Sequence, residues 1–222
     1  MKRHLQLTAD GSHTIQIDEL NVTYHSKHGA IQESRHVFID AGISYLHQVQ
    51  QINEYQILEM GFGTGLNALL TAIFSDQMNV YVNYHSIEAF PLTAEEIGML
   101  NYGTLLQQIS VFSQIHAAPW NTGTPIHPKF ELYKHHCTLN SFNHLEQFNI
   151  IYYDAFAPTA QPELWTVEIF EKLYHLLKPE GILVTYCSKG VVRRAMEAAG
   201  FRITKLQGPP GKREMVRAFR DH

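Results

Sequence analysis

The stretch Glu59-Met60-Gly61-Phe62-Gly63-Thr64-Gly65-Leu66-Asn67 sets an acid two residues ahead of three alternating glycines and an amide two residues beyond them. Glycine reaches positive φ without steric cost, so such a run can turn tightly and bring backbone N–H groups close to a ligand. The apolar run 56–60 before it reads as a strand, and 66–75 after it reads as a helix. Strand, turn and helix together would present loop amides and a helix N-terminus to a nucleotide-like ligand. Position 66 is Leu where the dinucleotide fingerprint G-x-G-x-x-G has its third glycine, which disfavours a nicotinamide-dependent oxidoreductase. Two more acids stand where apolar runs end. Glu88 closes Tyr81–Glu88, 23 residues past Gly65. A carboxylate at that place can accept hydrogen bonds from both hydroxyls of a ribose. Asp154 closes Phe148–Asp154, with Phe156 two residues on and Pro158 stiffening the turn. Taken singly, the glycine run could be an ordinary tight turn, a lone acid at a strand end is commonplace, and Phe156 could be a core residue.

Side chains at strand ends converge only if the strands lie side by side in one sheet. Strands are expected at 56–60, 80–88, 129–134, 148–154, 181–187, 201–207 and 214–220, and helices near 66–75, 93–107, 139–146, 166–177 and 190–199. Alternation of this kind implies a parallel sheet covered by helices on both faces. Leu177-Lys-Pro-Glu-Gly181 ends a helix and opens a buried strand, a frame feature without chemistry of its own. The last two strands are joined only by Gly208-Pro-Pro-Gly-Lys-Arg213, so the final strand should run antiparallel beside its predecessor. Leu5–Ile17 alternates around Asp10-Gly11 and reads as a β-hairpin. Residues 21–38 are expected to be irregular and to lead into a helix near 41–50. The resulting division is a hairpin and cap segment over 1–50 and a catalytic domain over 51–222.

Composition bounds the function. A length of 222 residues with 45% hydrophobic and 17% charged residues describes one ordinary globular domain with a sizeable core. Cys137 and Cys187 are too few for a disulfide framework or a thiolate metal site. The 14 histidines are scattered, without metal-ligand spacing, so no metal is expected. Residues 1–10 lack the apolar core of a signal peptide, and no run reaches membrane-spanning length, which makes the cytoplasm the expected location. The net charge of −4 is uneven. Residues 178–222 contain ten of the 17 Lys+Arg and four of the 21 Asp+Glu, a local +6, leaving 7 − 17 = −10 for the rest. A basic end on an acidic chain is a plausible landing surface for a polyanion, or simply a mixed solvated surface.

E-x-G-x-G-x-G is the pattern of class I S-adenosylmethionine-dependent methyltransferases, and Asp154-Ala-Phe-Ala-Pro158 resembles the acid-Pro-Pro-aromatic loop of amine methyltransferases. Further segments narrow the resemblance: Asp10-Gly-Ser-His-Thr14, Tyr24-His-Ser26, Glu33-Ser-Arg35 with Val37-Phe38, Glu88-Ala-Phe-Pro-Leu92, Pro162 with Trp165, Phe201 with Lys205, Gly208, and Lys212-Arg-Glu-Met215. Together with the glycine loop and Asp154-Ala-Phe-Ala-Pro158, they span nearly the whole chain in order. They resemble the methyltransferases of bacterial wobble-uridine modification, the MnmC N-terminal domain and its stand-alone MnmD form.

The resemblance implies a Rossmann-like class I fold, a seven-stranded mostly parallel sheet with an antiparallel last strand, carrying the small N-terminal β-hairpin extension. It implies methyl transfer from S-adenosyl-L-methionine to the amine of 5-aminomethyl-2-thiouridine at the tRNA wobble position. Carried over, Glu59, Gly61, Gly63, Gly65, Asn67, Glu88 and Asp154 would hold the cofactor. Asp154 and Phe156 would face the amine, and the segment with Tyr24, Glu33 and Arg35 would cover the site. Lys189, Arg193, Arg194, Lys212 and Arg213 would meet tRNA phosphates. An alkylamine has a pKa of about 10, and its lone pair must be freed and aimed along the methyl–sulfur axis. A carboxylate can orient the amine, although it also favours the ammonium form. Phe156 could lie against substrate or sulfonium. Relatives of the bifunctional enzyme carry an acid near the adenine amine where His136 stands, so backbone groups are expected to read the adenine. These 222 residues contain no oxidase-like stretch, so the primary amine is expected to come from another source. The alternatives are a class I methyltransferase for another amine and a nonenzymatic module with a degenerate cofactor site. The sequence leaves the oligomeric state open.

Overall fold

The computed structural model describes residues 2–145 and 147–221. Strands β1 (Arg3–Leu7), β2 (His13–Ile17) and β3 (Val22–Thr23) form a small antiparallel sheet, so the expected hairpin gains a third, short strand. Its turn uses Gly11 at φ +81°, and Thr8 N–H donates across it to the Ser12 carbonyl at 2.8 Å.

The segment expected to be irregular is helical from residue 30. Helix α1 (Ala30–Ser34) runs into a π-helical stretch, Arg35–Ser44, and then α2 (Tyr45–Gln50). The helix start has no local cap, which hid it in the sequence. Instead the turn of the first hairpin caps it. Asp10 Oδ2 accepts the Gln32 N–H at 3.0 Å and Ser12 Oγ accepts the Ala30 N–H at 3.1 Å. Those contacts satisfy helix N–H groups that have no partner within the helix. The π-helical stretch lies on the main sheet, with Gly42 so close to the Tyr152 ring that a Cβ would sit 3.0 Å from it.

The main sheet follows from β4 (Glu54–Met60), α3 (Leu66–Met78), β5 (Tyr81–Glu88), α4 (Ala94–Gly98), α5 (Tyr102–Leu105), α6 (Ile109–Ala117), β6 (Gly123–His127), β7 (Phe130–His136), β8 (Phe148–Tyr153), α7 (Val167–Leu176), β9 (Leu177–Thr185), α8 (Gly190–Ala198), β10 (Arg202–Gln207) and β11 (Glu214–Phe219). The strand order is β10-β11-β9-β8-β4-β5-β7-β6. Pairs among β7, β5, β4, β8 and β9 are parallel, and β11 is antiparallel to both β9 and β10. This is the expected topology with one correction. The sheet has eight strands, because β6, unrecognised in the sequence and shifted in register between Pro125 and His127, adds antiparallel to β7. The helix expected over 93–107 is broken into α4 and α5, and α6 follows where none was expected. Gly103 allows the α5–α6 corner, where a Cβ would stand 3.1 Å from Ile109 Cα. No helix forms over 139–145, where Thr138 and Ser141 side chains close a turn on each other; residue 146 lies outside the described set.

Alternation along the central strands builds two cores. Ile57, Ile150 and Tyr152 face one with Phe38, Leu69 and Phe112, while Leu58, Ile151 and Tyr153 face the other with Trp165, Phe170 and Val192. Burial on both faces is what near-continuous apolar strands require. Among the described residues, no helix is long and apolar enough to cross a membrane.

Candidate active site

The glycine loop leaves β4 at the carboxyl end of the sheet. Gly61, Gly63 and Gly65 have φ of +91°, +49° and +71°, values that side-chain-bearing residues adopt only under strain. The Gly61 and Phe62 N–H groups donate to the Ile87 carbonyl at 3.0 and 3.2 Å, tying the loop to β5. Any Cβ at Gly63 would lie 2.9 Å from the Tyr24 ring, and one at Gly65 2.9 Å from the His116 ring. The three glycines are therefore required both by the turn and by what packs on it.

Parallel strand order brings the three acids together. Glu88 accepts the Gly63 N–H at 3.0 Å and the Phe90 N–H at 2.8 Å, so the carboxylate already spans the loop and the cavity edge. Glu59 is buried under the loop and accepts a hydrogen bond from Ser86 Oγ at 2.6 Å. Burial raises its pKa to about 8, against the pull of its hydrogen bonds. Asp154 accepts the Asn67 amide at 3.0 Å. Burial first, then the neighbouring Glu33 and Glu59, raise its pKa well above the usual carboxylate range, while Asn67 and Lys212 pull it back. Glu59 Oε1 and Asn67 Oδ1 are buried without a hydrogen-bond partner.

Above these acids lies a cavity of about 350 Å³, within the size of a small-molecule site. Its floor is the loop, Asn67, Glu88 and Asp154. Its cover comes from the small sheet and the segment after it, through Arg3, Leu20, Tyr24 and His25. Arg3 secures that cover, pairing with Glu96 at 3.2 Å and donating to the Phe90 carbonyl at 3.0 Å. The Tyr24 ring meets Phe156 edge-on at 5.1 Å between centroids. Phe156 is held through its backbone. Its N–H donates to Gln161 Oε1 at 3.3 Å and its carbonyl accepts Trp165 Nε1 at 2.8 Å.

The covering residues were partly hidden from sequence reasoning. Arg3 and Gln161 sit in no recognisable pattern. His25 stood in a quoted motif without a role, and it is buried at the cavity with its pKa lowered to about 4 by desolvation. The far end of the cavity is lined by Thr138, Leu139 and Asn140 rather than by His136, which turns outward against Trp120 at 5.7 Å. Below the loop, buried Lys134 donates to the His116 carbonyl at 2.9 Å and lies over Phe62 and Trp120; burial lowers its pKa to about 8.

Other expected residues lie apart. Arg35 is exposed on the outer face of the π-helical stretch, beside a shallow depression shared with Asp40 and Leu105, so it does not reach the cavity. Glu33 is buried behind the cavity wall, paired with Lys212 and accepting the Ser26 N–H at 2.6 Å. Lys212 therefore turns inward to Glu33, with 32% of its side chain exposed. Lys189, Arg194 and Arg213 are exposed and Arg193 half-buried. They occupy the start of α8 and the loop entering β11, at the same end of the sheet as the cavity. Among the described residues, no cluster of three or more His, Cys, Asp or Glu is placed to hold a metal ion.

Comparison with known proteins bears on the fold and the relatives of this chain. Residues 131–221 match a family model described as S-adenosyl-L-methionine-dependent methyltransferase. The chain is 32% identical over 206 residues to the tRNA 5-methylaminomethyl-2-thiouridine biosynthesis bifunctional protein MnmC of Burkholderia multivorans, covering 87% of this chain and 31% of that protein. Its identity to the protein of the same name from Aeromonas salmonicida is 29% over 233 residues, covering 96% and 35%. The chain thus spans about a third of the length of these curated relatives. The crystal structure of MNMC2 from Aquifex aeolicus superposes with a TM-score of 0.79 at 22% identity, over 99% of this chain and 70% of that one. The fold is the class I methyltransferase fold.

Proposed function

We propose that this chain, an S-adenosyl-L-methionine-dependent methyltransferase by its fold, motifs and relatives, methylates the primary amine of 5-aminomethyl-2-thiouridine at the tRNA wobble position to the methylamino form. The observation that carries the reading is the place of Asp154, half-buried on the floor of the cavity between the glycine loop and Phe156 and held there by the Asn67 amide at 3.0 Å, where its surroundings also raise its proton affinity. The cavity fits the cofactor: the glycines leave backbone exposed, Glu88 faces its edge, and Asn67 Oδ1, on the cavity lining, is a buried acceptor with no hydrogen-bond partner. When bound, S-adenosylmethionine supplies an electrophilic methyl on a sulfonium.

In this reading Glu88 takes the ribose hydroxyls and the glycine-loop amides border the methionine portion. The amine arrives as an ammonium and must lose a proton before its nitrogen can bond the methyl carbon as the carbon–sulfur bond breaks. A carboxyl of ordinary pKa would be a poor acceptor for that proton; the raised affinity of Asp154 helps only in its ionised form, which the arriving ammonium and Lys212 favour. Asn67 fixes the Asp154 carboxyl, and the pinned Phe156 backbone holds the aromatic face beside it. Tyr24 and Phe156 offer ring edges and faces to a flipped-out base. Lys189, Arg193, Arg194 and Arg213 would position the RNA backbone without reading its sequence. Such a substrate places the activity in the cytoplasm.

The test is nucleoside mass spectrometry of tRNA incubated with purified protein and methyl-labelled cofactor. One tRNA carries the aminomethyl-thiouridine and the other unmodified uridine. Label should appear only in the first, as the methylaminomethyl nucleoside. No label in either, with cofactor binding intact, would sink this substrate and move the search to other amines.

A further inference from the structure

Lys212 belongs to the basic C-terminal segment but does not behave as a surface cation. Its ammonium pairs with Glu33 and lies 3.9 Å from the centre of the Tyr186 ring. Only 32% of its side chain is exposed, against 8% for Glu33. Each partner continues into a different part of the site. Glu33 holds the N–H of Ser26, two residues from Tyr24 on the cavity cover. The Tyr186 hydroxyl donates at 2.8 Å to the carbonyl of Ala155, between Asp154 and Phe156. On the loop carrying Lys212, Gly211 is packed against the His28 ring, so cover and loop also meet through a second contact.

We propose that Lys212 is a positioning residue of the transfer centre, joining the 24–34 cover and the 208–213 loop to the strand end bearing Asp154. The assignment rests on the methyl-transfer reading above. Removing the ammonium is costly, because the nearly buried Glu33 carboxylate is left without its partner. A cation stacked on an aromatic face gains further when partly desolvated. Cover closure over the cavity and the position of the Asp154–Phe156 loop are therefore coupled through one ammonium. Glu33, Glu59 and Asn67 also face Asp154, and among these neighbours Lys212 supplies the positive charge that offsets the two acids.

The first arm needs no methyl acceptor. Amide hydrogen exchange is followed in the full chain with saturating S-adenosylmethionine, for wild type, Lys212→Met, Glu33→Gln and the double variant. Residues 24–34 should exchange about tenfold faster or more in each single variant, and no faster in the double, as expected for two groups acting as one unit. Unchanged protection in the single variants overturns the proposal. The second arm is turnover on tRNA carrying the primary amine. Lys212→Met should lower kcat about tenfold or more with little change in KM for tRNA, and move the acidic limb of the kcat profile to higher pH. A raised KM, an unchanged kcat and a salt slope reduced by about one contact would return Lys212 to the phosphate role and overturn the proposal. Wild-type protein inactive on this tRNA would instead refute the proposed substrate, with the exchange arm still deciding the role of Lys212.

Discussion

Replacing Glu59 by Gln should change the pH dependence of stability more than stability itself. The carboxyl is 1% exposed and its pKa is raised from 4.5 to about 8, chiefly by burial. Asp154, Glu88, Asn67, Ser86 and the Tyr84 and Tyr152 hydroxyls surround it, and none is a cation. The folded protein thus holds this proton more tightly than the unfolded chain. The stability associated with the group is fully present below pH 4.5 and is lost as pH rises toward 8. The difference, 8 − 4.5 = 3.5 units at 1.36 kcal/mol each, sets a ceiling of about 5 kcal/mol. Gln has nearly the same shape, accepts the Ser86 hydroxyl through its carbonyl and carries no titrating proton. Urea unfolding from pH 5 to 8.5 should show wild-type stability falling relative to Glu59→Gln, by more than about 1 kcal/mol and at most the ceiling. Taking the difference between the proteins cancels the other titrating groups. A difference that stays flat across the window would refute the claim that Glu59 carries a proton at neutral pH.

Three further outcomes follow from the site. Asp154→Asn should keep cofactor affinity, measured by calorimetry, within about tenfold while lowering kcat about 10²- to 10⁴-fold; normal binding with full turnover would remove the proposed role. Gly63→Val forces a side chain into φ +49° and a Cβ 2.9 Å from Tyr24, so cofactor affinity should fall at least about tenfold and the fold should lose roughly 1–2 kcal/mol. An unchanged affinity would place the ligand elsewhere. Arg194→Ala and Arg213→Ala should each weaken tRNA binding and reduce the slope of log affinity against log salt by about one, with kcat unchanged. Salt-independent loss of binding would speak against phosphate contacts at those positions.

The parts of this molecule legible in the sequence are those governed by neighbours along the chain. Alternating glycines after Glu59 demand positive φ, the apolar runs ending at Glu88 and Asp154 demand buried parallel strands, and Gly208–Arg213 leaves no length for a crossover helix. Order of strands and helices then places the three acids at the carboxyl ends of three adjacent strands. The tertiary structure alone decided the rest. Helix α1 starts at residue 30 because Asp10 and Ser12, distant in sequence, cap it. Strand β6 forms because β7 offers it an edge, despite Pro125. Arg35 stands in a segment expected to cover the site and Lys212 among residues expected to meet phosphates, yet the first faces outward away from the cavity and the second inward to Glu33, 179 residues away in the chain. Local patterns constrain dihedral angles and burial. Which charge loses its water, and to which partner, depends on desolvation and pairing energies that exist only after the chain has folded back on itself.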